Sequence, residues 1–387
     1  MAANILEFDE LSRDQVIVNN LAIDENYVVT GGPGSGKTML ALLRANKIVE
    51  EHLDAKGEEP SVLFIVYNRP LYTYLCEHVE EVGLSEDDFN TYHTWLSDIY
   101  KSKVPGKKSA PKMPGEKWVH DWETIVPDLI KLYDQGDLYY DYILVDEAQI
   151  VPIELISVLN QISDHMTVFM DKNQTVLANG SDPDEVVNEI CNAPGRRKIL
   201  QRNHRNSEAI LDFSMLFRDK RDQPEEAINK GGIKPELKNY GHLEDIAEDI
   251  ADYASDHPTE VIGVFVDDWK QRNDLFQILK DTCDSNGSVQ KYVSMREKAF
   301  WYNEFDFEPG IKVLHHWVMT GLEFDSVFVP RVDSGFFDET DQKRSMLLVA
   351  TTRARTNLVL GYENDDKRNE YPLNKILGAH DLVVEVT

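Results

Sequence analysis

The chain has 387 residues, 40 basic against 69 acidic, for a formal net charge of −29. So acidic a surface excludes broad charge-driven adhesion to nucleic acid, which needs cationic area and counterion release, but it is compatible with a narrow basic channel. With 42% hydrophobic and 28% charged residues, the composition is that of a soluble globular chain of about two or three domains, and no apolar run is long enough to span a bilayer. The cysteines, Cys76, Cys191 and Cys283, lie far apart. They form neither a disulfide framework nor a metal-spaced cluster, and the N-terminus has no basic start and apolar core, so a reducing cytoplasm is the expected setting.

Strand-like runs fall at 27–30, 62–67, 142–145, 167–170, 261–266, 327–330 and 358–361, with amphipathic stretches between them at 39–53, 153–162 and 269–279. That alternation predicts an α/β fold with parallel sheets. It comes in two series, and the Pro194-Gly195 turn signal marks the point near residue 195 where one ends and the next begins. The stretch 101–117 is locally basic, carrying Lys101, Lys103, Lys107, Lys108, Lys112 and Lys117 against Glu116. Its prolines and glycines fit a solvated loop, and its lysines fit a loop that touches phosphates.

The most informative segment follows the first strand. Val28 and Val29 run into Gly31-Gly32-Pro33-Gly34-Ser35-Gly36-Lys37-Thr38, and the helix-like Met39–Leu43 follows. In a strand–loop–helix setting, such a glycine-rich loop curls backbone N–H groups around a phosphate, helped by the helix N-terminus. Lys37 reaches the β- and γ-phosphates and the Thr38 hydroxyl holds Mg²⁺. A second apolar strand ends in Asp146-Glu147-Ala148-Gln149. Asp146 suits the Mg²⁺ shell, and Glu147 suits orientation and deprotonation of an attacking water. The two segments together predict hydrolysis of a nucleoside triphosphate rather than binding alone.

With those two segments, further motifs run in order through most of the chain and resemble the superfamily 1 helicases of the UvrD/Rep type. They are Leu11-Ser12-Arg13-Asp14-Gln15, the run from Phe64 to Arg69, Asn90-Thr91-Tyr92-His93-Thr94-Trp95 and the run from Phe169 to Gln174. In the second half come Leu200-Gln201-Arg202-Asn203-His204-Arg205, Thr320-Gly321-Leu322-Glu323-Phe324-Asp325 and the run from Val349 to Arg355. The resemblance implies two RecA-like P-loop NTPase domains in tandem with a nucleotide cleft between them. The first would be 1–195, with a small insertion at about 98–138, and the second 196–387, with a short one at about 281–310.

By the same resemblance, Gln15 reads adenine, Gln174 senses the γ-phosphate, Arg205 and Arg353 are arginine fingers, and His204 and Glu323 belong to the nucleotide site. Tyr67, Asn68, His93, Trp95 and Thr320 would face nucleic acid. A guanidinium fits the finger role because charge builds on the γ-phosphoryl oxygens during hydrolysis. Three positions depart from the family pattern: His204 replaces an adenine-stacking tyrosine, Thr320 a lysine and Trp317 a histidine. The implied activity is ATP- and Mg²⁺-dependent translocation on single-stranded nucleic acid, DNA being favoured. The short insertions leave room for a partner protein that supplies grip or nuclease activity, and no membrane role is implied. The alternative is an ATP-gated regulatory subunit whose helicase-like cores control a protein partner. A phosphate-loop kinase fits less well, since Asp146-Glu147 suits water activation and no acceptor-recognition module is apparent.

Overall fold

The structure is a computed structural model that describes residues 11–67, 71–72, 83–116, 119–172, 180–191, 193–218, 226–283, 289–292 and 306–386. These residues group into two compact units, 11–32 with 36–201 and 33–35 with 202–386. Each unit is a mixed α/β structure built on a parallel sheet, giving two RecA-like units in tandem along the chain. Expectations that fall on Asn68 and Gln174 lie outside the described residues, as does the side chain of Trp317.

The first unit contains β1 (Tyr27–Gly31), β2 (Val62–Val66), β3 (Phe89–Thr91), β4 (Tyr140–Val145), β5 (Ser163–Met170) and β6 (Arg197–Leu200). Among the described residues they form one sheet in the order β3-β2-β4-β5-β1-β6, with every pairing parallel. Val28, Val29, Phe64, Ile65 and Val66 are all fully buried, as expected of strands covered on both faces. The register sets Val145 opposite Val168 and Thr30 opposite Met170. The segments leaving β1, β4 and β5 therefore emerge at one end of the sheet, where ligands bind in open α/β folds. The strand β6 follows the Pro194-Gly195 turn and pairs with β1 from Val28↔Arg197 to Gly31↔Leu200. The first sheet thus runs past the expected boundary at 195.

The Lys37–Lys56 helix leaves β1 through Gly36, at φ 85°, and ends at Gly57, at φ 74°, both left-handed conformations that glycine adopts without strain. Leu40, Ala41, Ala45 and Ile48 supply its buried stripe. Arg44 lies in the same stripe. Its Nε donates to Thr167 Oγ1 (2.8 Å), its Nη2 to the Ala22 carbonyl (2.8 Å) and its Nη1 to the Leu21 carbonyl (3.2 Å). Burial lowers its pKa to about 10, so it stays cationic at neutral pH and the planar fork pins the 21–22 segment to the core. Within 98–138, the Trp122–Asp134 helix is capped by Asp121. It contributes Ile125, Leu129 and Leu132 to the core cluster that holds Trp95, Leu96 and Tyr100.

In the second unit, β7 (Arg202–Ser207) and β8 (Glu226–Asn229) pair in parallel. A larger parallel sheet comprises β9 (Glu236–Asn239), β10 (Val261–Val266), β11 (Val289–Lys291), β12 (Gly310–His315), β13 (Phe324–Val329), β14 (Ala354–Tyr362) and β15 (Val384–Val386). Its order is β11-β12-β10-β13-β14-β9-β15. The Leu243–Asp256 and Trp269–Thr282 helices give Ile246, Ile250, Leu275 and Leu279 to its core. Gly263, mid-strand in β10, has no side chain because the Phe324 ring occupies that space. A Cβ there would sit 2.7 and 2.9 Å from two ring carbons.

Gly263→Ala is therefore expected to destabilise the second unit by about 1–3 kcal/mol, the usual cost of overpacking a filled core. Adding Phe324→Leu should recover part of the loss. Urea unfolding of the two variants checks this, and equal stability of Gly263→Ala and the parent would contradict the packing.

Candidate active site

The phosphate loop folds onto its own lysine. Gly34 and Gly36 have φ of 69° and 85°, and the turn they permit brings the Gly31 and Gly32 carbonyls to Lys37. Its Nζ donates to both, at 2.9 and 2.8 Å. The ammonium is buried and held at the loop, where it is placed to exchange carbonyl oxygens for phosphate oxygens. Gln15 comes from the Arg13–Asn19 helix and is oriented by a capping interaction in which Ser12 N–H donates to Gln15 Oε1 at 3.0 Å. Its side chain is buried against Gly36, where a Cβ would meet Gln15 Nε2 at 2.6 Å. The structure thus brings Gln15 to the same loop as Lys37.

Next to Lys37, the Thr38 hydroxyl donates to Asp146 Oδ2 at 2.6 Å. Asp146 is the first residue after β4 and fully buried, and its Oδ1 accepts the Glu147 N–H at 3.0 Å. Glu147 is also buried. Its φ of 55° is the one positive value at a non-glycine position among the described residues, and left-handed backbone at such a position is typical of functional sites. Burial first, then the adjacent Glu147 charge, raises the Asp146 pKa from 3.8 to about 7, while Thr38 and Lys37 oppose the rise. Such a crowded carboxylate, with a hydroxyl beside it, suits a divalent cation. Mg²⁺ binds through one or two protein oxygens plus waters and phosphates rather than a closed protein cage. Among the described residues no group of three or more His, Cys, Asp or Glu forms such a cage.

Sequence reasoning missed Gln149. Its Nε2 donates to Glu147 Oε2 at 2.6 Å, and its Oε1 accepts the Asp171 N–H at 3.1 Å. The signal was present as the last residue of Asp-Glu-Ala-Gln, but only the fold shows what its amide reaches.

Residues 33–35 group with the second unit, where Asn203 organises the surroundings of Arg205. Asn203 Nδ2 donates to the Pro33 carbonyl and to Asn206 Oδ1, both at 2.8 Å. Its Oδ1 accepts the N–H groups of Arg205 (3.0 Å) and Asn206 (2.8 Å). The His204 N–H donates to the Gly34 carbonyl at 2.8 Å. Arg205 Nε donates to Glu323 Oε2 at 2.7 Å. Burial disfavours the charged form of Glu323, but Arg205, Arg355 and Arg353 outweigh it and hold the carboxyl below its ordinary range. Arg353 is buried, donating through Nε to the Val349 carbonyl and through Nη1 to that of Leu322, both at 3.1 Å. Asn206 Nδ2 reaches the carbonyls of Thr352 and Ala354, so one side chain links the segments carrying Arg205 and Arg353. Neither Asn203 nor Asn206 was singled out from the sequence.

The expected nucleic-acid contacts separate. His93 is exposed, its Nδ1 lying 3.0 Å from His120 Nε2 with the rings stacked at 5.2 Å. Burial, then the Lys112 charge, lowers the His120 pKa to about 4, so that ring is neutral near pH 7. Tyr67 is half-buried. Trp95, which the resemblance places against nucleic acid, is buried. The Tyr92–Lys103 helix buries Tyr92, Trp95, Leu96, Ile99 and Tyr100, a helical stripe that packs inward, and the Trp95 indole N–H donates to Tyr140 Oη at 3.0 Å. Thr320 is also buried, which takes its side chain out of direct contact in this conformation.

Residues 14–179 match the family model described as an AAA domain. No curated protein matches the chain. Among solved structures, the C-terminal domain of a possible DNA helicase from Lactobacillus plantarum WCFS1 is similar at 19% identity, with 47% of this chain and 98% of that chain covered and a TM-score of 0.34. Among the described residues, no helix is long and apolar enough to cross a membrane.

A carboxyl with a higher pKa folded than unfolded binds protons more tightly when folded. The metal-free first unit should therefore lose stability as pH rises from the ordinary value of 3.8 to about 7. Millimolar Mg²⁺ should restore roughly 1–2 kcal/mol near neutral pH, less as Asp146 protonates, and nothing in Asp146→Asn. Thermal melts across pH, with and without Mg²⁺, check this. An equal Mg²⁺ response in Asp146→Asn would remove Asp146 from the cation site.

Proposed function

We propose that this protein is an ATP-dependent translocase or helicase of the superfamily 1 UvrD/Rep type. It would hydrolyse ATP with Mg²⁺ and move along single-stranded nucleic acid, DNA being favoured, in the cytoplasm. The observation that carries the reading is the Thr38–Asp146 hydrogen bond of 2.6 Å, which joins the phosphate loop to the carboxylate pair at the end of β4. The match of residues 14–179 to an AAA domain supports nucleotide use.

On this reading Lys37 binds the β- and γ-phosphates, backbone N–H groups of 31–36 cradle them, and Gln15 contacts the base. Thr38 and Asp146 hold Mg²⁺, which when bound neutralises phosphate charge. Glu147 orients a water and takes its proton as the γ-phosphoryl group is attacked. Gln174 senses the γ-phosphate, and Arg205 and Arg353 supply positive charge to the transition state. For that, Arg205 exchanges the Glu323 carboxylate for phosphate oxygens. His204 and Glu323 complete the nucleotide site, and Tyr67, Asn68 and His93 contact the strand.

A second reading, an ATP-gated regulatory subunit acting on a protein partner, is favoured by a specific observation. Two of the expected strand contacts, Trp95 and Thr320, are buried.

ATP turnover measured with single-stranded DNA, single-stranded RNA and no strand separates the readings. The first expects several-fold stimulation that weakens as salt rises. Absence of stimulation at low salt, across strand lengths, would overturn it in favour of the second. Lys37→Ala and Glu147→Gln should each lower turnover by roughly a hundredfold or more. Arg205→Ala and Arg353→Ala should do so by about a thousandfold, with smaller effects on nucleotide affinity.

A further inference from the structure

Gln149 is fully buried, at 0% exposure, and three of its polar atoms have hydrogen-bond partners. Its Nε2 donates to Glu147 Oε2 at 2.6 Å, its Oε1 accepts the Asp171 N–H at 3.1 Å, and its main-chain carbonyl accepts the Ser181 N–H at 3.1 Å. A buried glutamine that only filled its space would need partners, but any polar partners would serve. These three are specific. One is the carboxylate proposed to activate water, and another is the first residue after β5, the strand lying between β1 and β4 in the sheet.

The chemistry of the amide matters here. A carboxylate offers two oxygens and turns easily about its last torsion. A donor fixed on Oε2 stops that rotation and leaves the second oxygen to take a proton. Gln149 can donate from one end and accept at the other, whereas Glu has no donor when ionised and Met has neither group. The left-handed backbone of Glu147 adds to the need, because a strained residue keeps its conformation only where its surroundings over-determine it. We infer that Gln149 is a positioning residue, fixing the Glu147 carboxylate against the Asp171 backbone so that one oxygen faces the attacking water. This rests on the reading of Glu147 as the water-activating group.

The test is steady-state ATP hydrolysis by the full chain carrying Gln149→Glu, with Gln149→Met as the second variant should the first not fold. Gln149→Glu keeps the acceptor for Asp171 and loses the donor to Glu147. For either variant kcat should fall roughly tenfold to a hundredfold, the range expected when a reacting group is misplaced. For the charge-neutral Gln149→Met, KM for ATP and the Kd of a fluorescent nucleotide should stay within about twofold, since ground-state binding is untouched. In a Glu147→Gln background, adding Gln149→Glu should cost nothing further, because the group it positions is gone. An unchanged kcat, a parallel change in kcat and KM in Gln149→Met, or a further loss in the Glu147→Gln background would overturn the inference. If the parent chain hydrolyses no ATP, or Glu147→Gln equals the parent, the hydrolytic reading itself falls and takes this one with it. An active parent, an inactive Glu147→Gln and parental kcat in the Gln149 variants would remove the positioning role alone.

Discussion

Two neighbouring carboxylates buried at the end of one strand are the constraint around which the first unit is arranged. Leaving a pair of like charges out of water is costly unless something divides or neutralises them. Around Asp146 and Glu147 the fold supplies a hydroxyl from Thr38, a backbone N–H from Glu147 itself, an amide from Gln149 and the nearby Lys37 ammonium. All of these come from segments that leave parallel strands at the same end of the sheet. The residual misfit shows in the raised pKa of Asp146. A site left short of positive charge in this way is poised for a cation and triphosphate, whose arrival improves the local electrostatics.

The second unit solves a different problem with neutral groups. Its two functional candidates, Arg205 and Arg353, lie 148 residues apart in sequence, and their segments are joined by the amides of Asn203 and Asn206 rather than by ion pairs. Amides carry direction without charge, so they can fix two arginine-bearing segments while leaving the guanidinium groups to other partners. One of those partners is the half-buried Glu323, whose carboxyl is held below its ordinary range by the three arginines around it.

Much of this was legible from residue order. The glycine spacing of 31–38, the apolar strand before Asp146 and the alternation of strands and helices each had a local signature, and the main strands appear close to where they were expected. What stayed hidden had no local signature. β6 reads Arg-Lys-Ile-Leu, too short and too charged to stand out, and becomes a strand only through its pairing with β1. Trp95 was drawn towards the surface by its motif, although its helical spacing with Tyr92, Leu96 and Ile99 already described a buried stripe. Gln149, Asn203 and Asn206 act through bonds to residues brought near by folding, which no spacing rule reports.

The pairing of β6 with β1 also bears on how the chain can be divided. A fragment ended at the Pro194-Gly195 turn would strip the outer neighbour from the strand that launches the phosphate loop. A row of main-chain N–H and C=O groups would be left bare along Val28–Gly31, the kind of open edge on which other chains assemble. Ending the fragment after Gln201 keeps that edge covered. The same reasoning places the natural seam of the polypeptide between Gln201 and Arg202, inside the run from Leu200 to Arg205 rather than before it. A stretch that reads as one motif in sequence is thus a bridge in the fold, rooted in one sheet and delivering its arginine to the next.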